Sequence, residues 1–310
     1  MTDQTLIRVQ ENLNVSKNVY YVYSDKTEGF NFGYLLFIPG DVENQSRLIV
    51  EVDTIEASSY GVTIKSALDT MDRINKTIKK TKYAIIIPII PCKSDQEKPY
   101  QQLSKECFSK ETGHKYYRVD IQLIKMIADA KKRINQLTGK ELQKKIFLKG
   151  YSTSGVFAQR FALLHPELID SLCVGGAINF TPIPLSEIND QQLCYPVGVS
   201  DIEAISGIKF NEEKYKEIKF FSYILANDPI ANNLTPREPH PSISQHGSPI
   251  DRISKIYLGL GYKFHKKVIE GKYRYRPNDL YGLSDFANAD INEFFINGTT
   301  ELGSSIQMNM

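Results

Sequence analysis

The sequence predicts an α/β protein with a mostly parallel central sheet and helices on both faces. Three observations carry that expectation. Apolar runs of strand length alternate with helical patterns after an opening stretch that reads as a hairpin. Tyr83 to Ile90 is the most apolar stretch and contains Ile-Ile-Ile-Pro-Ile-Ile, as a buried central strand would. Residues 146–155 read Ile-Phe-Leu-Lys-Gly-Tyr-Ser-Thr-Ser-Gly: an apolar run, a turn of small residues, and the start of a helix.

The elements follow in order. Asn18 to Tyr23 and Gly33 to Pro39 are strand-like, and Arg47 to Val52 follows the turn formers Gly40-Asp41 and Asn44-Gln45-Ser46. Ser58 to Lys80 turns helical, with Val62, Ile64, Leu68, Met71 and Ile74 at mixed three- and four-residue spacings. After the strand ending near Pro91, Cys92 to Arg118 is polar and irregular. Val119 to Leu137 is an amphipathic helix with Leu123, Ile124, Ile127, Ala130, Ile134 and Leu137 on one face, stopped at Thr138-Gly139. The strand into Ser152 leads to a helix ending at His165, before Pro166. Ile169 to Val174 and Glu217 to Ala226 read as strands, Ile250 to Leu260 as a helix, Phe264 to Ile269 as a strand and Asp285 to Phe295 as a closing helix. Thr181 to Tyr215, rich in Pro, Gly, Asn and Asp, reads as an insertion over the sheet edge.

The chain has 310 residues and 41 % apolar content, enough for one large α/β domain. We expect a single domain over 1–310, with a cap or lid at 181–216. Lysines and arginines number 38 against 36 acidic residues, a net charge of +2 that predicts no strong nucleic-acid or membrane field. Clusters such as Lys79-Lys80 and Lys131-Lys132-Arg133 read as solvated helix faces. The four cysteines form no Cys-x-x-Cys pair, so neither zinc nor redox chemistry is indicated, and Cys173 reads as a buried thiol. The first residues lack the basic start and apolar stretch of a signal peptide, and no apolar run nears the roughly 20 residues of a membrane span. A cytoplasmic setting is expected. Neither a phosphate loop nor His-Glu-x-x-His spacing occurs, so no cofactor and no metal are expected.

The motif Gly150-Tyr151-Ser152-Thr153-Ser154-Gly155, the helix ending His165-Pro166-Glu167 and the following Val174-Gly175-Gly176-Ala177 resemble the α/β-hydrolase fold, most closely its esterase and polyhydroxyalkanoate-depolymerase-like branch. The resemblance spans about Tyr20 to Phe295. It implies a nucleophilic serine on a strained turn. Ser152 takes that role, or, in the plainer reading, serves as a helix N-cap. The amide of Thr153 and one from the loop after the third strand, at Asp53 or Thr54, would form an oxyanion hole; Thr54 is the candidate. That loop contains Asp53 and Glu56 and no glycine. Asp228, just past a strand and before Pro229, takes the place of the acid, or is a turn residue in Asn-Asp-Pro.

The base is the departure. The resemblance places a histidine after the last strand, yet none follows His265, and Arg274 stands about where it should be. Arginine stays protonated and cannot act as a base near neutral pH. His265 opens the last strand and His165 ends a helix, both pointing to the far edge of the sheet. His114 lies in the long polar stretch. His240 and His246 lie in the loop after Asp228, on the correct edge, and His246 beside Gly247 is the candidate base. Asp190, Asp201 and Glu203 lie in the insertion, and Tyr273 and Tyr275 alternate with Arg274 and Arg276.

Two functions therefore stand. One is a serine hydrolase of an ester or related acyl bond, with a small-molecule acyl substrate and an acyl-enzyme on Ser152. The other is a catalytically degenerate member that binds a small ligand or a protein partner in the same pocket.

Overall fold

The computed structural model describes residues 6–8, 18–52, 83–91, 97–109, 115–225 and 248–269. Nine strands form one sheet: β1 (Leu6–Arg8), β2 (Val19–Val22), β3 (Tyr34–Phe37), β4 (Leu48–Val52), β5 (Ile85–Pro88), β6 (Ile146–Tyr151), β7 (Ile169–Gly175), β10 (Lys219–Leu225) and β11 (Lys263–Ile269). Their spatial order is β1-β2-β3-β5-β4-β6-β7-β10-β11. The small hairpin of β8 (Glu187–Ile188) and β9 (Gln191–Gln192) stands apart. Pairing is antiparallel from β1 through β3 to β5, and parallel from β5 onward. The mostly parallel sheet is the expected one.

The central strands are buried on both faces. Every residue of β4 and β5 is buried, as are the first five of β6. Strands enclosed from both sides need apolar residues at successive positions, which is why Ile85-Ile86-Ile87 reads as a run and not as an alternation. Two charged residues break this rule. Glu51 and Lys149 are Cα partners on β4 and β6, each under 10 % exposed, with Nζ 3.1 Å from Oε2. The contact lies off hydrogen-bond alignment, so opposite charge holds the pair together.

The helices are α1 (Lys98–Gln101), α2 (Val119–Thr138), α3 (Thr153–Leu164), α4 (Ile202–Ser206), α5 (Glu212–Glu217) and α6 (Pro249–Gly259). Helix α2 buries Val119, Leu123, Met126, Ile127, Ala130 and Ile134. Of the face that the spacing predicts, Ile124 is only partly buried and Leu137, in the last turn, is exposed, because the sheet no longer covers the helix there. Gly139, in the left-handed region at φ 69°, ends it by donating its N–H to Asn135. A second expectation fails on this helix. Arg133 belongs to the Lys131-Lys132-Arg133 cluster read as solvated, but it is buried, with Nε 2.7 Å from Asp129 Oδ2. Tyr34 donates to the same oxygen at 2.6 Å. A carboxylate accepting from two buried donors makes arginine acceptable inside the protein, and a charge run alone does not reveal such a partner.

Two smaller differences concern boundaries. The stretch read as irregular from Cys92 to Arg118 contains α1 and a 3₁₀ turn at Lys105–Phe108. Glu217, read as the start of a strand, closes α5, which starts at the Asn211 N-cap and ends where Ile218 turns extended and donates its N–H to the Tyr215 carbonyl. The helices expected over 58–80 and 285–295 lie outside the described residues.

Helix α3 has an unusual setting. All of its residues from Ser154 to Leu164 are buried. On its outer side Arg160 donates to the Gln102 carbonyl at 3.0 Å and to Ser104 Oγ at 3.1 Å. The segment between β7 and β10 packs onto the same region. Tyr195 donates to the Leu103 carbonyl, its ring meets Phe108 edge-on, and Asp201 pairs with Lys105 at 3.0 Å.

Candidate active site

Ser152 stands between the last residue of β6 and the first of α3. Its backbone lies at φ 55° and ψ −123°, a combination that residues with a Cβ rarely adopt. Its side chain is exposed and makes no capping hydrogen bond. An N-cap serine has extended backbone and accepts from the helix amides. Ser152 does neither, so the N-cap reading does not describe it. The geometry is that of a sharp strand-to-helix elbow that turns a hydroxyl outward.

The flanking small residues have specific causes. A Cβ on Gly150 would lie 2.4 Å from the carbonyl oxygen of Ser154, so the strand can fold back on the helix only if that atom is missing. A Cβ on Gly155 would lie 2.9 Å from Val174 Cγ1 and 3.0 Å from Ala177 Cβ. The close approach of α3 to β7 therefore falls on Gly155, and the side chain of Ser154 is accommodated one position earlier. The Ser152 N–H donates to the Gly175 carbonyl at 2.8 Å, and the Ser152 carbonyl accepts from Val156 at 3.1 Å. Both ends of the strained residue are thus fixed by neighbouring backbone.

The register defines which loops leave beside the serine. Val52, the last residue of β4, is the Cα partner of Gly150, so β4 ends at the same sheet edge as β6. Tyr151 pairs with Gly175, and Gly175 with Tyr223 on β10, so β7 and β10 end at that edge as well. Ser152 and Thr153 are the predicted site residues whose positions are described, and α3 brings them together at its first turn. Thr54, Asp228 and His246 lie outside the described residues. The same holds for His114, His240, Arg274 and the tyrosines beside it.

Two histidines are described, and neither is at the elbow. His265 is half-buried in β11 opposite Phe221, and burial holds its imidazole below the ordinary value. His165 follows α3, about 20 Å from Ser152 at 1.5 Å per residue along the helix. Its Nε2 lies 2.9 Å from Asp120 Oδ2. Arg118 grips the same carboxylate through Nε at 3.0 Å and Nη2 at 2.8 Å, and its Nη1 donates to the Ser206 carbonyl at 3.0 Å. Burial alone would raise the Asp120 carboxyl, but the hydrogen bonds from His165 and Arg118 outweigh it and hold the group below its usual range. This arrangement was not legible in the sequence, because His165 lies 45 residues from Asp120 and Ser206 lies 88 residues from Arg118, although Arg118 and Asp120 are near neighbours.

The acidic residues of the insertion have their own partners or face solvent. Asp201 accepts from the Tyr195 amide at 2.5 Å, while Asp190 and Glu203 are exposed. Cys173 is buried beside the Glu51–Lys149 pair, and burial pushes its thiol up. Among the described residues no group of three or more His, Cys, Asp or Glu side chains could hold a metal, and no helix is long and apolar enough to cross a membrane.

No protein-family model matches the sequence, and no curated protein does. Solved structures do match. Poly(aspartic acid) hydrolase-1 from Sphingomonas sp. KT-1 superposes with a TM-score of 0.57 at 14 % identity, over 84 % of this chain and 94 % of that one. A thermostable esterase matches with a TM-score of 0.52 at 15 % identity, over 89 % of this chain and 61 % of its own length. A ferulic acid esterase matches at 0.50 and 11 % identity, over 89 % and 96 % of the two chains. At these identities the likeness is one of architecture, and with the strand order and the elbow it shows that the chain has the α/β-hydrolase fold.

Proposed function

We propose that the protein is a serine hydrolase that cleaves an ester or related acyl bond through an acyl-enzyme on Ser152. The observation that carries the proposal is the Ser152 backbone, strained at φ 55° and ψ −123° around an exposed side chain that caps nothing. Strain of this kind costs on the order of 1–3 kcal/mol and persists at functional sites because the surrounding structure imposes it. The esterases among the similar structures support the same reaction class. In this reading His246 removes the Ser152 proton and later returns one to the leaving group, and Asp228 orients and stabilises the imidazolium. The amides of Thr153 and Thr54 receive the charge on the tetrahedral intermediate. The whole chain acts as one domain, in the esterase-like branch, and the segment 181–216 selects the substrate as a cap.

A second reading rests on one sequence observation. No histidine follows His265, and Arg274 occupies the expected place of the base. The alternative is a non-hydrolytic protein that uses the same site to bind a small ligand or protein partner.

One experiment separates the two. The protein and its Ser152→Ala variant are treated with a fluorophosphonate probe and with short p-nitrophenyl esters. The proposal expects labelling and hydrolysis that both vanish in Ser152→Ala. A folded parent protein that neither labels nor hydrolyses overturns it in favour of the binder.

A further inference from the structure

Strands β4 and β6 meet through a run of apolar pairs. Leu48, Ile49 and Val50 are the Cα partners of Ile146, Phe147 and Leu148. All six are buried, and successive pairs face alternate sides of the sheet. Where both faces are apolar, sliding one strand past the other exchanges apolar side chains for apolar ones, so the hydrophobic pattern does little to fix the register. The flanking strands constrain it in part. Against β5, β4 is in register at Ile49 and Val50, short of its last two residues. Against β7, β6 shifts register between Ile146 and Phe147. Glu51 is the one charged residue of β4 and Lys149 the one charged residue of β6. They are Cα partners, both buried, with Nζ 3.1 Å from Oε2. A slip of one residue would turn one charge to the other face of the sheet, and a slip of two would set it against an apolar pair. Either leaves a buried charge without its partner, a far greater cost than the pair itself returns in stability.

We propose that the Glu51–Lys149 pair pins β4 in register with β6, and so positions the end of β4 against the elbow that carries Ser152. The next partners along the two strands are Val52 and Gly150, and Gly150 is the glycine that lets the elbow fold back on the Ser154 carbonyl. One step of slip in a parallel pair is about 3.3 Å, enough to move the end of β4 by the length of a hydrogen bond. Apolar residues of similar volume would serve stability as well or better, so the use of two opposite charges is register. The catalytic meaning rests on the hydrolase reading above. In that reading one oxyanion donor is the Thr153 amide and the other follows β4, and both must reach one oxygen at once. Being enclosed, Glu51 and Lys149 act through their strands and are positioning residues.

The test compares the parent protein with two double variants. Glu51→Met with Lys149→Met removes both charges and keeps the volume; Glu51→Leu with Lys149→Leu replaces it if it fails to fold. Glu51→Lys with Lys149→Glu restores a pair with its signs exchanged. The apolar variant should keep a urea midpoint at or above that of the parent. Its amides within 48–52 and 146–150 should nonetheless exchange with solvent roughly tenfold faster, while the other strands exchange as before. For p-nitrophenyl acetate its kcat should fall roughly tenfold to a hundredfold with KM unchanged. The exchanged pair should recover both slow exchange and kcat. A purely structural pair would lower the urea midpoint and leave kcat of the folded protein alone. Parental exchange in the apolar variant, or faster exchange with parental kcat, overturns the proposal while leaving the hydrolase reading intact. A parent protein inert to ester and fluorophosphonate means that the hydrolase reading has failed, and exchange alone then decides. Faster exchange confined to β4 and β6, reversed by the exchanged pair, supports the pin, and parental exchange overturns it.

Discussion

The two ends of helix α3 carry the same kinds of residue and treat them oppositely. At the N-terminal end a serine is strained, exposed and uncapped. At the C-terminal end a histidine is buried, bonded to an aspartate and backed by an arginine. Read as a composition, Ser152, His165 and Asp120 would make a triad. Read as geometry, a helix length separates the hydroxyl from the imidazole. The histidine and aspartate are satisfied and enclosed, as groups that join elements are. The serine is held in a costly conformation, and its side chain caps nothing in the helix that follows it.

The largest way to break this contrast is at the closed end. Asp120→Ala leaves Arg118 and His165 without their shared carboxylate and should cost about 3–5 kcal/mol, read as a shift in the urea midpoint. The folded carboxyl titrates below the unfolded 3.8, so its contribution is complete above that pH and is lost as pH falls through the lowered value. The gap between parent and variant should therefore close only in strong acid; a gap that closes near pH 6 would mean that the carboxylate is not the source. If the two ends are independent, folded Asp120→Ala should still label at Ser152.

Gly150→Ala attacks the open end. Its new methyl meets the Ser154 backbone carbonyl, which cannot swing away as a side chain can, and the expected cost is about 1–3 kcal/mol. Fluorophosphonate labelling should slow more than stability alone explains, because the elbow itself is displaced. Labelling at the parent rate would argue that the elbow tolerates the methyl.

The smallest effect has the opposite sign. Ser152→Gly should raise stability by about 1 kcal/mol, since a glycine relieves strain of roughly 1–3 kcal/mol and adds back up to about 1 kcal/mol of chain entropy. A loss of stability in thermal melts would show that the serine is not strained.

Most of the frame was legible because it rests on periodicity. Leu123, Ile127, Ala130 and Ile134 mark the buried face of α2, Thr138-Gly139 marks its end, and the apolar run around Ile85 marks a strand covered on both sides. The elbow was legible because Gly150, Ser152 and Gly155 are residue types that a single tight turn requires. What escaped was charge inside the fold. Arg133, Lys149, Glu51 and Asp120 look like surface residues in one dimension, since what encloses them comes from other elements: Tyr34 shares Asp129 with Arg133, His165 meets Asp120, and Glu51 and Lys149 meet across two strands. Of the site, Ser152 and Thr153 could be placed from sequence, because both belong to the elbow. Asp228, His246 and Thr54 depend on loop paths that no periodicity constrains.

The enclosure of α3 also has an electrical meaning. A helix carries about half a positive charge at its N-terminus, and in most helices water along the flank screens much of it. Here every side chain from Ser154 to Leu164 is out of solvent. The peptide dipoles sum through a medium of low polarisability, and their field emerges chiefly at the first turn. An anion formed at Ser152 would stand at the positive end of that field before any side chain takes part.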